Sequence, residues 1–138
     1  MDIVERYKAY ADAFEETFVD DDWSRLEPFF TENASYSPGR QTATGRDAAF
    51  ALLKEGIDGF DRKMGGREIE FLSMTAQGNE VHAPWRATFT RDDLPPISFS
   101  ALEIARFEGD RIAELRDEWE PVGLQVLQDW MAEHGAKL

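Results

Sequence analysis

The sequence predicts a single α+β domain over residues 1–138, with helices first, then a long antiparallel sheet, then a closing helix. Three observations carry this. Apolar residues recur at helical spacing through the first 64 positions, with one short extended break. From about residue 67 to 120 the period becomes that of strands, in four stretches split by short polar connections, and short connections make successive strands antiparallel. The chain has 138 residues, the size of one domain and enough to bury a real core.

In the first segment Ile3, Tyr7, Tyr10, Ala11, Phe14 and Phe18 fall on one helical stripe. Asp20-Asp21-Asp22 stops that helix, and Asp22 can cap a short second one that buries Trp23, Leu26 and Phe30. Pro28 should end or kink it. Ala34-Ser35-Tyr36-Ser37 reads as a short strand, stopped by Pro38-Gly39. Thr44-Gly45 opens a third helix that carries Phe50, Leu53, Ile57, Phe60 and Met64. Gly56 and Gly59 weaken it by about 1 kcal/mol each, and Gly65-Gly66 is its stop signal.

The four extended stretches cover about 67–76, 81–91, 97–107 and 111–120. Gln77-Gly78-Asn79, Asp92-Asp93-Leu94-Pro95-Pro96 and Glu108-Gly109-Asp110 divide them. A last helix begins after Pro121, with Leu124, Leu127, Trp130 and Met131 on one side and Gly135 as its cap. A long sheet curled over helices leaves a concave face, where small ligands bind.

Composition narrows the function classes. Fifteen Lys and Arg stand against 28 Asp and Glu, a net charge of −13. Such a chain repels phosphate backbones and anionic membranes, so neither nucleic acid nor membrane is expected as a partner. The absence of Cys excludes disulfides, thiol catalysis and Cys-ligated metals, and fits a cytoplasmic protein. The N-terminus carries no signal-peptide core, and the longest apolar run, Ala48 to Leu53, is too short to span a bilayer.

No phosphate-cradling Gly-Lys motif and no G-x-S-x-G elbow is present, so no cofactor is expected. His82 and His134 are the only histidines, and neither has a second ligand at helical spacing, so no metal site is expected either. The triple Asp at 20–22 lacks the alternating spacing of a Ca²⁺ loop and reads as a solvated turn.

Two carboxylates stand out: Glu103 between Leu102 and Ile104, and Asp117 between Arg116 and Glu118. The turn between their strands decides whether they share a face. A three-residue loop, Glu108-Gly109-Asp110, puts them on one face as diagonal neighbours, roughly 7 Å apart. A two-residue Gly109-Asp110 turn puts them on opposite faces. On a shared apolar face each carboxyl has a raised pKa, and two neighbours push each other's values apart. Otherwise they are solvated or ion-paired strand residues, with Arg86, Arg106 or Arg116 as partners. Seventeen aromatic rings fill the interior or line a pocket. Phe14, Trp23, Tyr36, Phe50, Trp85, Phe89 and Trp119 are the candidates, and Tyr36 and Trp85 carry polar tips.

The run Asp22-Trp23-Ser24-Arg25-Leu26-Glu27-Pro28-Phe29-Phe30-Thr31-Glu32-Asn33-Ala34-Ser35-Tyr36 resembles the opening of the nuclear transport factor 2-like superfamily. Gly45-Arg46-Asp47-Ala48 resembles the start of its third helix, and Gly109-Asp110-Arg111-Ile112 through Asp117-Glu118-Trp119-Glu120-Pro121 its last hairpin. The resemblance covers nearly the whole chain and is closest to SnoaL-like members. It implies a cone of curved antiparallel sheet wrapped around the N-terminal helices, often as a homodimer.

The same resemblance favours the register that pairs the carboxylates. In ketosteroid isomerase-like chains the position matching Glu103 holds a pocket carboxylic acid. In limonene epoxide hydrolase-like chains Asp117 matches a pocket aspartate and Tyr36 a water-holding tyrosine. The departures disfavour either named activity. The isomerase's oxyanion-holding tyrosine falls at Phe14, and its proton-abstracting aspartate falls near Ser37. The hydrolase's asparagine falls at Pro38, and its Arg-x-Asp pair falls near Trp85 and Ala87, or at Arg86 and Thr88 after a shift of one.

Three functions fit these residues. The first is a cofactor-free enzyme on a small hydrophobic or polycyclic molecule, with Asp117 as general base or acid, Glu103 its partner and Tyr36 a hydrogen-bond donor. In it Phe14, Trp23, Trp85 and Trp119 contact the ligand. The second is a pocket that binds such a molecule without turnover. The third is a dimeric interaction domain whose cone is filled by its own aromatics, which requires that no ligand-sized cavity exist.

Overall fold

The computed structural model describes residues 2–138. Helix α1 spans Ile3–Asp20, and the Asp2 side chain caps it by accepting from the amides of Val4 and Glu5. It ends at Asp21, in the left-handed region with φ 61°, whose amide bonds to Thr17 O. Asp22 caps the next element, as its position predicts, but Trp23–Phe29 is a 3₁₀ helix that contains Pro28.

The Asp turn does more than meet solvent. Asp20 pairs with Arg25, and Asp21 with Lys54 and Arg62, which ties the end of α1 to the following helix. The hydrogen bond from Arg25 pulls Asp20 down to about 2.

Strand β1 is Phe30–Ser37, twice the predicted length, and β2 is Ala43–Thr44. Helix α2 spans Arg46–Gly59, so it stops short of the expected Gly65. Phe60 leaves the helical backbone at φ −139°, and its ring packs on Phe89 and Trp130, with centroids 5.0 and 5.8 Å away. Tertiary packing of that ring outweighs one more turn of a glycine-weakened helix.

The sheet runs β2-β1-β7-β6-β5-β3, with β4 on the same edge of β5. Its antiparallel part is the predicted meander: β3 (Gly66–Phe71), β4 (Thr75–Gln77), β5 (Glu80–Arg91), β6 (Leu94–Glu108) and β7 (Arg111–Trp119). Two strands replace the single stretch 67–76. Pro84 is the reason: its carbonyl accepts from Leu72, so its missing N–H faces the same edge, and pairing there shifts register between Phe71 and Thr75. Pro95 and Pro96 lie within β6, not in its connection. They fall where the pairing with β5 slips near Thr90, a bulge that needs no amide donor from either. β1 joins β7 in parallel, so the sheet is mixed, curved and unclosed.

The β6–β7 hairpin combines features of both sequence alternatives. Its turn is the two-residue Gly109-Asp110, with Glu108 facing Arg111 and Gly109 at φ 63°. That turn alone would separate the carboxylates. A register shift between Phe107 and Arg106 inserts one extra residue, Ala113, and restores the shared face. Glu103 then stands directly opposite Asp117, not diagonal to it.

Two apolar clusters hold the fold. Tyr7, Leu26, Phe30, Phe50, Phe107 and Leu115 pack under α1 and α2. Phe89, Phe99 and Trp130 gather beneath α3, which spans Pro121–His134. Gly135 occupies its C-cap in right-handed conformation, φ −58°, and a 3₁₀ turn follows.

Gly123 sets how closely α3 approaches β6, because a Cβ there would lie 2.7 Å from Ser100 O. Gly123→Ala is therefore expected to lower stability by about 1–3 kcal/mol, read by denaturant unfolding. No helix of the described residues is long and apolar enough to cross a membrane.

Candidate functional site

A cavity of about 370 Å³ lies between the two apolar clusters and draws its walls from both. Asp117, Glu103 and Tyr36 all line it, as do Phe14, Trp85 and Trp119. The carboxyl pair forms because β5, β6 and β7 place Ala83, Glu103 and Asp117 in one row across the sheet. The neighbouring Ala83 and Ala105 are fully buried in the first apolar cluster.

Each carboxyl has donors. Tyr7 OH donates to Glu103 Oε1 at 2.6 Å. Tyr36 OH donates to Asp117 Oδ2 at 3.1 Å, and Trp85 Nε1 to Oδ1 at 3.4 Å. Both acids sit deep in the protein but keep some surface open to the cavity. Burial pushes the Glu103 carboxyl well up, and the negative charge of Asp117 pushes it further. Burial also raises Asp117, but hydrogen bonds from Glu103, Trp85 and Tyr36 hold it back.

The two environments are thus separated. Glu103 is raised further than Asp117, so a proton shared by the pair favours Glu103. Burial and the nearby acids raise Tyr7, Tyr10 and Tyr36, so all three stay protonated. The arrangement can accept a proton at Asp117 and supply one from Glu103, with Tyr36 as a hydrogen-bond donor.

The arginines weighed as ion partners for the pair are engaged elsewhere or unpaired with it. Arg116 bridges Glu80, Glu114 and Glu118, and Arg106 meets Glu108. Arg86 makes no ion pair among the described residues.

Trp119 anchors the wall by donating from Nε1 to Pro38 O at 2.8 Å, and its ring meets Trp85 edge-on. Phe14 lines the cavity and brings no hydrogen-bond donor to it. Trp23 and Phe50 are the exceptions among the aromatic candidates, since neither lines the cavity. Trp23 lies on the 3₁₀ helix behind α1, against Phe14 and Phe50, with Nε1 bonded to Asp21 Oδ1. Phe50 is core, packed edge-on against Phe30.

Sequence reasoning missed Tyr7. It was visible only as a member of an apolar helical stripe, and the hydroxyl on that stripe was the available signal. Arg67, Asp61 and Glu15, which also line the cavity, gave none. Among the described residues no group of three or more His, Asp or Glu could hold a metal ion. His82 sits in β5 beside Glu80, and His134 lies against Trp130.

Comparison with known proteins places this geometry in a family. The SnoaL-like domain model matches residues 8–115. The fold is similar to Bal32a from a soil-derived mobile gene cassette, with a TM-score of 0.68 at 20% identity over 94% of this chain and 98% of that one. It is similar to TerC co-crystallised with polyporic acid, with a TM-score of 0.66 at 12% identity over 90% and 98% of the two chains. It is also similar to an LEH-like epoxide hydrolase of M. tuberculosis, with a TM-score of 0.61 at 16% identity over 94% and 95%. No functionally curated protein matches the chain. At these identities the structural likeness speaks for the fold, and the match over most of the sequence speaks for the family: the chain belongs to the SnoaL-like family.

Proposed function

We propose that the protein is a cofactor-independent acid/base enzyme on a small, largely apolar molecule bound in the cavity. The observation that carries this is the Glu103–Asp117 pair, two carboxyls set directly opposite each other at the wall of a largely apolar cavity, with Glu103 raised further than Asp117. Asp117 takes a proton from substrate or from a bound water. Glu103 gives its own proton to the product, the proton now on Asp117 passes back to Glu103 to restore the pair, and Tyr36 holds the developing negative charge by a hydrogen bond. Such a site supports isomerisation, cyclisation, dehydration or hydrolysis, each needing one base and one acid near the reacting carbon.

The missing donor at Phe14 and the prolyl at position 38 argue against the isomerase and epoxide hydrolase versions described above. A carrier without turnover is the second reading, favoured by the extent of the aromatic wall. A self-filled cone fits poorly with a 370 Å³ cavity. The homodimer implied by the family is part of the proposal, and light scattering should give twice the chain mass.

A thermal-shift screen tests the pocket. The panel holds steroids, terpenoid epoxides, aromatic polyketides, small enones and polyporic acid, the molecule co-crystallised with TerC. A ligand at one hundred times its dissociation constant is expected to add about 2.7 kcal/mol. A hit altered by Asp117→Asn supports the enzyme, a hit indifferent to it supports the carrier, and silence across the panel counts against both.

A further inference from the structure

The cavity has a second polar end, at Arg67. Arg67, Ile69 and Phe71 alternate inward along β3, and all three line the cavity. The Arg67 side chain is only 13% exposed. Its Nε donates to Asp61 Oδ2 at 2.8 Å, Nη1 pairs with Glu15, and the guanidinium lies 4.4 Å from the centroid of the Phe18 ring. Nη2 bonds to none of the described residues. The one fully buried side-chain nitrogen without a partner among them is Arg46 Nε, so Nη2 stays reachable.

Helix α1 measures the distance between the two ends. Tyr7 touches Glu103, and Glu15 touches Arg67. Eight residues of helix separate them, a rise of about 12 Å. Between these ends the wall is apolar and aromatic, with Tyr10, Phe14, Phe60 and Phe89 along it.

The charge at this end is already matched. Two carboxylates flank one guanidinium, so an anionic ligand group would meet net repulsion. A neutral oxygen that accepts from Nη2 meets none and gains a charge-assisted hydrogen bond.

We propose that Arg67 is a specificity-determining residue: it holds a neutral acceptor oxygen at the far end of an elongated, otherwise apolar ligand whose reacting end lies at the carboxyl pair. This rests on the cavity being the working site, and it names the class of molecule that site takes.

Three probes of one shape decide it by calorimetry. 6-Acetyl-2-naphthol carries a neutral acceptor, 6-ethyl-2-naphthol lacks it, and 6-hydroxy-2-naphthoate carries an anion. Wild-type protein is expected to bind the acetyl compound at least about tenfold more tightly than either of the others. Arg67→Lys keeps the charge but not the fork, and is expected to bring the acetyl-to-ethyl ratio to about one.

Equal binding of the acetyl and ethyl compounds to wild type overturns the role of Arg67 and leaves the pocket reading intact. So does tightest binding of the naphthoate, or an unchanged ratio in a folded Arg67→Lys protein that merely melts earlier. Should Arg67→Lys fail to fold, the wild-type comparison decides alone. Binding of none of the three overturns the pocket reading and this one with it.

Discussion

Asp117→Asn is expected to leave the fold intact and to reduce kcat/KM on any compound the protein turns over by about 10²–10⁴-fold. That is about 3–5 kcal/mol of transition-state stabilisation. The substitution preserves shape, and the amide oxygen still accepts from Tyr36 or Trp85, so packing around β7 is unchanged. What it removes is a group that can take up a proton. The loss should appear in kcat and kcat/KM together, because ground-state contacts to the cavity wall are untouched. Circular dichroism confirms the fold, and a steady-state assay on the thermal-shift hit gives the rate. Turnover equal to wild type would remove Asp117 from the mechanism.

Glu103→Gln should change how stability depends on pH. Burial and the charge of Asp117 raise the folded-state pKa of Glu103 well above its ordinary 4.5. Between that ordinary value and the raised one, the folded state holds a proton the unfolded chain has released. The stabilisation is therefore complete below about pH 4.5 and is lost as pH rises through the folded value, by about 1.4 kcal/mol per pH unit. Asp117, also raised, adds a decline of the same sign.

In the Glu103→Gln variant the amide can imitate the protonated acid, accepting from Tyr7 and donating to Asp117 at every pH. The variant is thus expected to match wild type near pH 5 and to be more stable above pH 7. Urea unfolding across that range measures it. Parallel stability curves for the two proteins would mean that Glu103 does not hold the proton assigned to it.

Much of the architecture was legible because it depends on local spacing. The apolar stripe from Ile3 to Phe18 makes α1 wherever it finds a core, and alternation from Val81 to Ile112 makes strands. Helix ends were less legible. The end of α2 was set by where Phe60 finds Phe89 and Trp130, contacts far away in sequence. The parallel pairing of β1 with β7 left no local trace either, since it joins residues about 80 positions apart.

The site divides in the same way. Acids at Glu103 and Asp117, interrupting inward positions on a sheet, are conspicuous in the sequence, and so is Tyr36. Their meeting turned on a single residue: the two-residue turn would have parted them, and Ala113, as a bulge, brought them together. Side chains alternate with a period of two, so one inserted residue reverses every face beyond it.

Tyr7, Asp61 and Arg67 entered the site from helix, turn and edge strand, and no spacing rule links those segments. The sequence by itself determined the order of the main elements and the candidate acids, because these follow from spacing along the chain, and its motif runs carried the family resemblance. Only the tertiary structure decided which groups face one another and which way their pKa values move, because register, burial and through-space charge exist only once the sheet has curled over the helices.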